Sequence, residues 1–199
     1  MIVIVRHGET VWNTQKRKQG HKNSKLTKKG KKQAIKVAQF FNKNNFDLNN
    51  FTIYSSPLKR VIDYSKIINK NLLNKIEAKK KIKFSDKIKE HKFGNWEGKN
   101  DVEISKKYPE QVIKRAKDKW NYKIPGGGES YKLLNSRVKK FLNKISLKDN
   151  IVIITHDMVS RVIRGNLMKY TQKKIMSIEH KNNHIYIYNK KKIKKIILK

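Results

Sequence analysis

Three short, almost wholly apolar runs constrain this chain more than any other feature: residues 1–5 (Met-Ile-Val-Ile-Val), 51–54 (Phe-Thr-Ile-Tyr) and 151–154 (Ile-Val-Ile-Ile). A strand that faces water on one side alternates polar and apolar residues. These runs do not, so they read as strands buried on both faces, as parallel strands between helix layers are. Amphipathic segments lie between them. Ala34, Val37, Ala38 and Phe41 recur at 3-and-4 spacing within residues 31–42, which predicts a helix for which Thr27 is a suitable N-cap. Pro57 is suited to open a helix running to about Asn69. Residues 131–145 carry the stripe Leu134, Val138, Phe141, Leu142 and Ile145, a further helix is expected over 158–169, and the tail reads as strands 184–188 and 193–198 around Asn189-Lys190-Lys191. Strands alternating with helices predict an α/β fold, a three-layer α/β/α sandwich with a mainly parallel central sheet. Residues 1–199 are expected to form one domain. Residues 86–128, broken by Gly94, Gly98, Pro109, Pro125 and the triple glycine 126–128, are expected to be an irregular active-site insertion.

Composition narrows the function classes. The formal net charge is +35, which invites a nucleic-acid reading. Arginine, however, occurs only at positions 6, 17, 60, 115, 137, 161 and 164; the excess is lysine spread along the whole chain. Base-reading proteins lean on arginine forks and aromatic platforms, and no such cluster is visible. The expectation is therefore no specific nucleic-acid partner, with weak, salt-sensitive binding to polyanions. Cysteine is absent, which removes disulfides, thiolate metal sites and a cysteine nucleophile. No apolar run approaches the ~18 residues a membrane span needs, and no secretory signal is visible, so a cytoplasmic location without a membrane partner is expected.

The chemistry lies where the three runs end. The first continues into Arg6-His7-Gly8-Glu9-Thr10, the second into Ser55-Ser56-Pro57 with Arg60 a turn later, and the third into Thr155-His156. Ligands in open α/β sheets collect beyond the carboxyl ends of the strands. If these strands are parallel neighbours, two arginines and two histidines converge on one sheet edge, where helix N-termini add N–H donors for an anion. A lone histidine beside a strand is ordinarily structural, and a lone arginine after a turn is ordinarily a surface charge. Their joint placement at three strand ends points to a phosphate pocket. The glycine run 126–128 is no P-loop, because no Gly-Lys-Ser/Thr follows in the required frame. No His/Asp/Glu arrangement has metal-ligand spacing, so His21, His91, His180 and His184 default to ordinary or rim positions. Trp12, Trp96 and Trp120 are candidates for a cleft wall or for the core.

Arg6-His7-Gly8-Glu9-Thr10 with Asn13 resembles the signature of the histidine phosphatase superfamily (phosphoglycerate mutase-like). The similarity continues in order through Gln19-Gly20-His21, Leu26-Thr27 with Gly30, Ser55-Ser56-Pro57-Leu58 with Arg60, and Glu90 with Phe93-Gly94-Asn95-Trp96-Glu97-Gly98. It ends with Gly127-Gly128-Glu129-Ser130 and Thr155-His156. The resemblance implies that His7 attacks phosphorus and becomes a phosphohistidine. Arg6, Arg60 and His156 would clamp the phosphoryl oxygens, His156 most usefully as a cation. Asn13, Gln19 and Gly20 complete the phosphate and substrate contacts that the resemblance implies, Asp157 is expected at the same phosphate site beside His156, and Glu90 serves as general acid and then general base. For His7 to be a nucleophile, its other ring nitrogen should donate to a backbone carbonyl, a close approach for which Gly8 leaves room. The segment from Glu90 to Gly98 resembles the phosphatase branch, which includes α-ribazole phosphatases and broad-specificity phosphatases. The implied activity is a metal-independent phosphoric monoester hydrolase of the histidine acid phosphatase type, acting on a small phosphorylated metabolite without a cofactor. A cofactor-dependent phosphoglycerate mutase is the alternative, disfavoured because Arg115 has no arginine neighbour and the chain has little sequence with which to cover the site. A homodimer is the assembly left open. Departures from the family pattern are Asn23-Ser24-Lys25, which could loosen the loop beside Gln19, Asp63-Tyr64, and Asp157 where glycine is usual. A carboxylate there should repel phosphate unless it is turned away.

Overall fold

The structure, a computed structural model, describes residues 1–76 and 82–198. Six strands form one sheet: β1 (Ile2–Arg6), β2 (Thr52–Ser55), β3 (Lys83–Phe84), β4 (Ile151–Thr155), β5 (His184–Asn189) and β6 (Lys192–Ile197). Their order is β3-β2-β4-β1-β5-β6. The first four strands of that row run parallel, and β5 and β6 are antiparallel additions. The helices are α1 (Val11–Thr14), α2 (Lys28–Lys43), α3 (Lys59–Lys70), α4 (Asp101–Lys107), α5 (Pro109–Lys117), α6 (Tyr131–Leu142), α7 (Asp157–Leu167) and α8 (Gln172–Ser177).

The unbroken apolar runs are explained by what covers each face. Val3, Val5, Ile53, Val152 and Ile154 point to one side and pack with Ala34, Val37, Phe41, Val61 and Ile68 from α2 and α3. Ile2, Ile4, Ile151 and Ile153 point to the other and meet Leu134, Val138, Phe141, Val159, Val162 and Ile163 from α6 and α7. Alternate residues of one strand thus serve two cores, which leaves no position for a polar side chain. Burying each such side chain contributes about 1.5–3 kcal/mol before the entropy of ordering it is subtracted. The three-layer α/β/α sandwich with a mainly parallel sheet is the architecture the periodicity predicts.

Parallel register places the site. Arg6 lies opposite Thr155, and Ser55 opposite Ile154, so the carboxyl ends of β1, β2 and β4 share one edge. Thr27 caps α2 through its side chain, which accepts the Gly30 N–H at 2.9 Å. Elsewhere the structure corrects the sequence reading. Pro57 lies outside the helix it was expected to open: α3 starts at Lys59, because the Ser56 hydroxyl accepts the Leu58 N–H and holds a bend there. Residues 86–128 are not irregular throughout, since they contain α4 and α5. The short edge strand β3 gave no sequence signal, and residues 77–81 beside it are not described. No helix among the described residues is long and apolar enough to cross a membrane.

Candidate active site

The residues at the three strand ends wall a cavity of about 750 Å³, with Arg6, His7, Arg60, Glu90 and Asp157 in its lining. His7 follows β1 directly, and its N–H is tied to the Thr155 carbonyl at 3.0 Å. Its ring Nδ1 lies 2.8 Å from the carbonyl oxygen of Gly8. A carbonyl can only accept, so Nδ1 carries the proton and Nε2 keeps its lone pair. Burial, followed by the charges of Arg60 and Arg6, holds the imidazole well below its usual pKa, so it is neutral. Gly8 cannot be replaced without damage: a Cβ there would lie 2.3 Å from the Gly30 carbonyl oxygen.

Arg60 comes from the first turn of α3 and is 1% exposed. One terminal nitrogen donates to the Lys22 carbonyl at 2.8 Å and to Asn23 Oδ1 at 3.2 Å. The other donates to the Gly20 carbonyl at 2.8 Å and faces His156 Nδ1 at 3.3 Å. Asn23, expected to loosen this loop, instead helps tie it to Arg60. Burial lowers the guanidinium to about 10, which leaves it charged at neutral pH.

His156 departs from expectation. A guanidinium nitrogen can only donate, so Nδ1 of His156 accepts, and its Nε2 donates to Ser56 Oγ at 2.8 Å. Burial first, and Arg60 second, push its pKa well below the usual histidine value. The ring is therefore a buried neutral partner of Arg60, 5.2 Å from His7 centroid to centroid, and not the cation the sequence reading anticipated. It stands behind the cavity wall and outside its lining.

Arg6 donates to the His180 carbonyl, with its Nε unpaired. Asn13 closes a capping box on Thr10: its Oδ1 accepts from the Thr10 N–H at 3.1 Å and hydroxyl at 3.0 Å, and Asn13 lines the cavity. Gln19 turns its Nε2 onto the Thr10 hydroxyl at 2.7 Å, beside Gly20 at the entrance. Glu90 is positioned through its backbone. Its carbonyl accepts from Arg137 and from His21 Nε2, each at 2.9 Å, and Arg137 is gripped in turn by Glu129. Burial, with Asp157 second, raises the Glu90 pKa, the direction that general acid work requires. Asp157 does not face the cavity as a bare charge. Its carboxylate receives two bonds from Arg161, the Nε one at 2.8 Å, and a third from the His180 N–H at 2.8 Å.

The outer wall comes from Trp12, Trp96, Arg115 and Lys119 among others. Arg115 lies over the Trp96 ring at 5.6 Å. Trp120 instead stacks on Tyr131 in the core, with centroids 6.0 Å apart. His180 is fully buried, held by Ser160 and the His184 carbonyl. Three contributors escaped the sequence reading. Arg161 was signalled by its i,i+4 spacing from Asp157, and Arg137 by no more than its place in the α6 stripe. Asn182, which donates to the His7 carbonyl at 2.7 Å, gave no signal. No group of three or more His, Asp or Glu side chains able to hold a metal ion occurs among the described residues.

The sequence matches the histidine phosphatase superfamily (branch 1) over residues 2–198. This chain belongs to that superfamily. It is 35% identical to phosphoglycerate mutase-like protein 4 of Arabidopsis thaliana over 80% of this chain and 67% of the relative. It is 34% identical to the metal-independent phosphoserine phosphatase of the same plant over 81% of this chain and 66% of the relative. Phosphoserine phosphatase 1 of Hydrogenobacter thermophilus is 29% identical, over 100% of this chain and 90% of the relative. The fold is shared with the α-ribazole phosphatase of Shigella flexneri (TM-score 0.81, 20% identity, 99% of this chain and 95% of that one). Within the superfamily this chain is a phosphatase, with phosphoryl transfer through a phosphohistidine. Its departure at Asp157 is paired with Arg161.

Proposed function

We propose that the protein is a metal-independent phosphoric monoester hydrolase of the histidine acid phosphatase type, acting on a small phosphorylated metabolite, with His7 as nucleophile. One observation carries the reading. The Gly8 carbonyl fixes the His7 tautomer so that a neutral Nε2 lone pair is available in a cavity that Arg6, Arg60 and Glu90 also line, the last with its pKa raised by burial. In the first step His7 Nε2 bonds to phosphorus as the bond to the ester oxygen breaks, and Glu90 gives its proton to that oxygen. In the second step Glu90, now a carboxylate, takes a proton from water as the water oxygen attacks the phosphohistidine and the bond to Nε2 breaks. Arg6 and Arg60 supply the charge that equatorial oxygens need, and Asn13 a neutral donor. His156 acts through Arg60 in this scheme.

Phosphoserine and α-ribazole phosphate, after the names of a relative and of a structural neighbour, are the first phosphomonoesters to test as substrates. Phosphate release from an aryl phosphate and from 3-phosphoglycerate, with wild type and His7→Ala, tests the proposal. Release that requires His7 supports a phosphatase. Isomerisation of phosphoglycerate without release would replace it with the mutase, and inactivity of both proteins with a binding module.

A further inference from the structure

The departure at position 157 has an electrostatic consequence at the nucleophile. Arg6, Arg60 and Arg161 all line the cavity, as do Glu90 and Asp157. Asp157 and Arg161 stand one turn apart at the start of α7 and form a two-bonded pair, in which the carboxylate takes Arg161 Nε and one terminal nitrogen. The remaining terminal nitrogen of Arg161 has no protein partner among the described residues. The same carboxylate accepts the His180 N–H, and the His180 carbonyl accepts Arg6. Arg6 and the Asp157–Arg161 pair are thus joined through one peptide segment, next to where the phosphoryl group would sit. His7 and His156 are neutral, and burial raises the Glu90 pKa. Of Arg6, Arg60 and Arg161, the last is thus the one whose charge a carboxylate offsets through a two-bonded pair.

We propose that Asp157 is a specificity-determining residue: by capping Arg161 it offsets one of the arginine charges that face the phosphoryl group and keeps inorganic phosphate from binding too tightly to leave. The proposal rests on the phosphatase reading above. Its logic is that affinity shared equally by substrate, transition state and product does not speed turnover, and a tighter product slows it. A third free arginine would strengthen binding of every phosphate species in the cavity.

The probe is inorganic phosphate, titrated calorimetrically into the full-length protein at fixed pH and ionic strength. Asp157→Asn keeps the size of the side chain and an oxygen for the His180 N–H, but removes the negative charge that offsets Arg161. Phosphate should bind about tenfold tighter, with kcat and KM for an aryl phosphate falling together. Arg161→Gln leaves Asp157 uncapped, and phosphate should bind about tenfold weaker. The double variant should return to within about threefold of wild type. A structural role alone would weaken binding in all three. Unchanged or weaker binding in a folded Asp157→Asn overturns the proposal. If that variant does not fold, equal or tighter binding by Arg161→Gln overturns it instead. The two readings fail differently: a wild type that neither binds phosphate nor hydrolyses an aryl phosphate refutes the phosphatase. A wild type that does both, with a flat cycle, refutes only the role of Asp157.

Discussion

The floor of the cavity and its outer wall are built on opposite terms. His7, Arg60 and His156 in and behind the floor are 2%, 1% and 0% exposed, and each follows or adjoins a strand whose backbone is fixed by the sheet. The outer wall leans on α4 and α5. Only Ile104 of α4 is buried, α5 buries nothing fully, and Val102 and Ile113 are 78% and 56% exposed. A segment with so few buried contacts sits at the low end of local stability. The contrast assigns the two regions different work: a rigid floor holds atoms where phosphorus reacts, and a lightly anchored wall selects what is carried in with the phosphate. Glu90 joins them, with its carbonyl tied to Arg137 and its carboxyl in the cavity.

Four measurements can break that comparison. His7→Ala should reduce kcat/KM by about 10⁴-fold or more for every substrate, because no other group forms the intermediate. Similar loss from a change in the outer wall would end the division of labour. Glu90→Gln should cost about 10²–10³-fold on an alkyl phosphate and under about tenfold on an aryl phosphate, whose leaving group needs no acid. Since the raised Glu90 pKa favours the acid form, kcat for the alkyl ester should fall as pH rises through that value, and the Gln variant should lack that limb. Stability should respond to acid through the floor. His180 is pushed down to about 3 by burial, and His7, His91 and His156 are lowered in the same direction. Groups with depressed folded pKa values stabilise fully above the unfolded value near 6.5 and lose that contribution as pH falls. His180 alone should cost about 2 kcal/mol at pH 5 relative to pH 7, read as a fall in Tm. The smallest effect belongs to the wall: Arg115→Ala should raise KM for a substrate with a second anion about three- to fivefold and leave kcat unchanged. A fall in kcat instead would place Arg115 with the floor.

Much of the floor was legible because it follows from short-range rules. Double-sided burial keeps polar residues out of all but the last position of β1 and of β4, so these strands show as apolar runs, and a parallel sheet sends their polar ends to one edge. The tautomer of His7 was also foreseeable, since Gly8 is the residue that permits the approach. The wall was hidden for an equally physical reason. Helix α4 is seven residues long and buries one side chain, so it has no stripe to recognise. Its capping box, Asn100 with Glu103, was the available sign.

What the sequence by itself determined is therefore the layered sheet, the edge on which the site lies, and the identity of His7, Arg6, Arg60 and Glu90 as the residues to ask about. Only the tertiary structure decided the charges they carry. Whether His156 is cation or neutral, and whether Asp157 repels phosphate or spends its charge on Arg161, depends on groups far apart in sequence brought within hydrogen-bond reach. It depends as well on a burial that penalises any charge left unpaired.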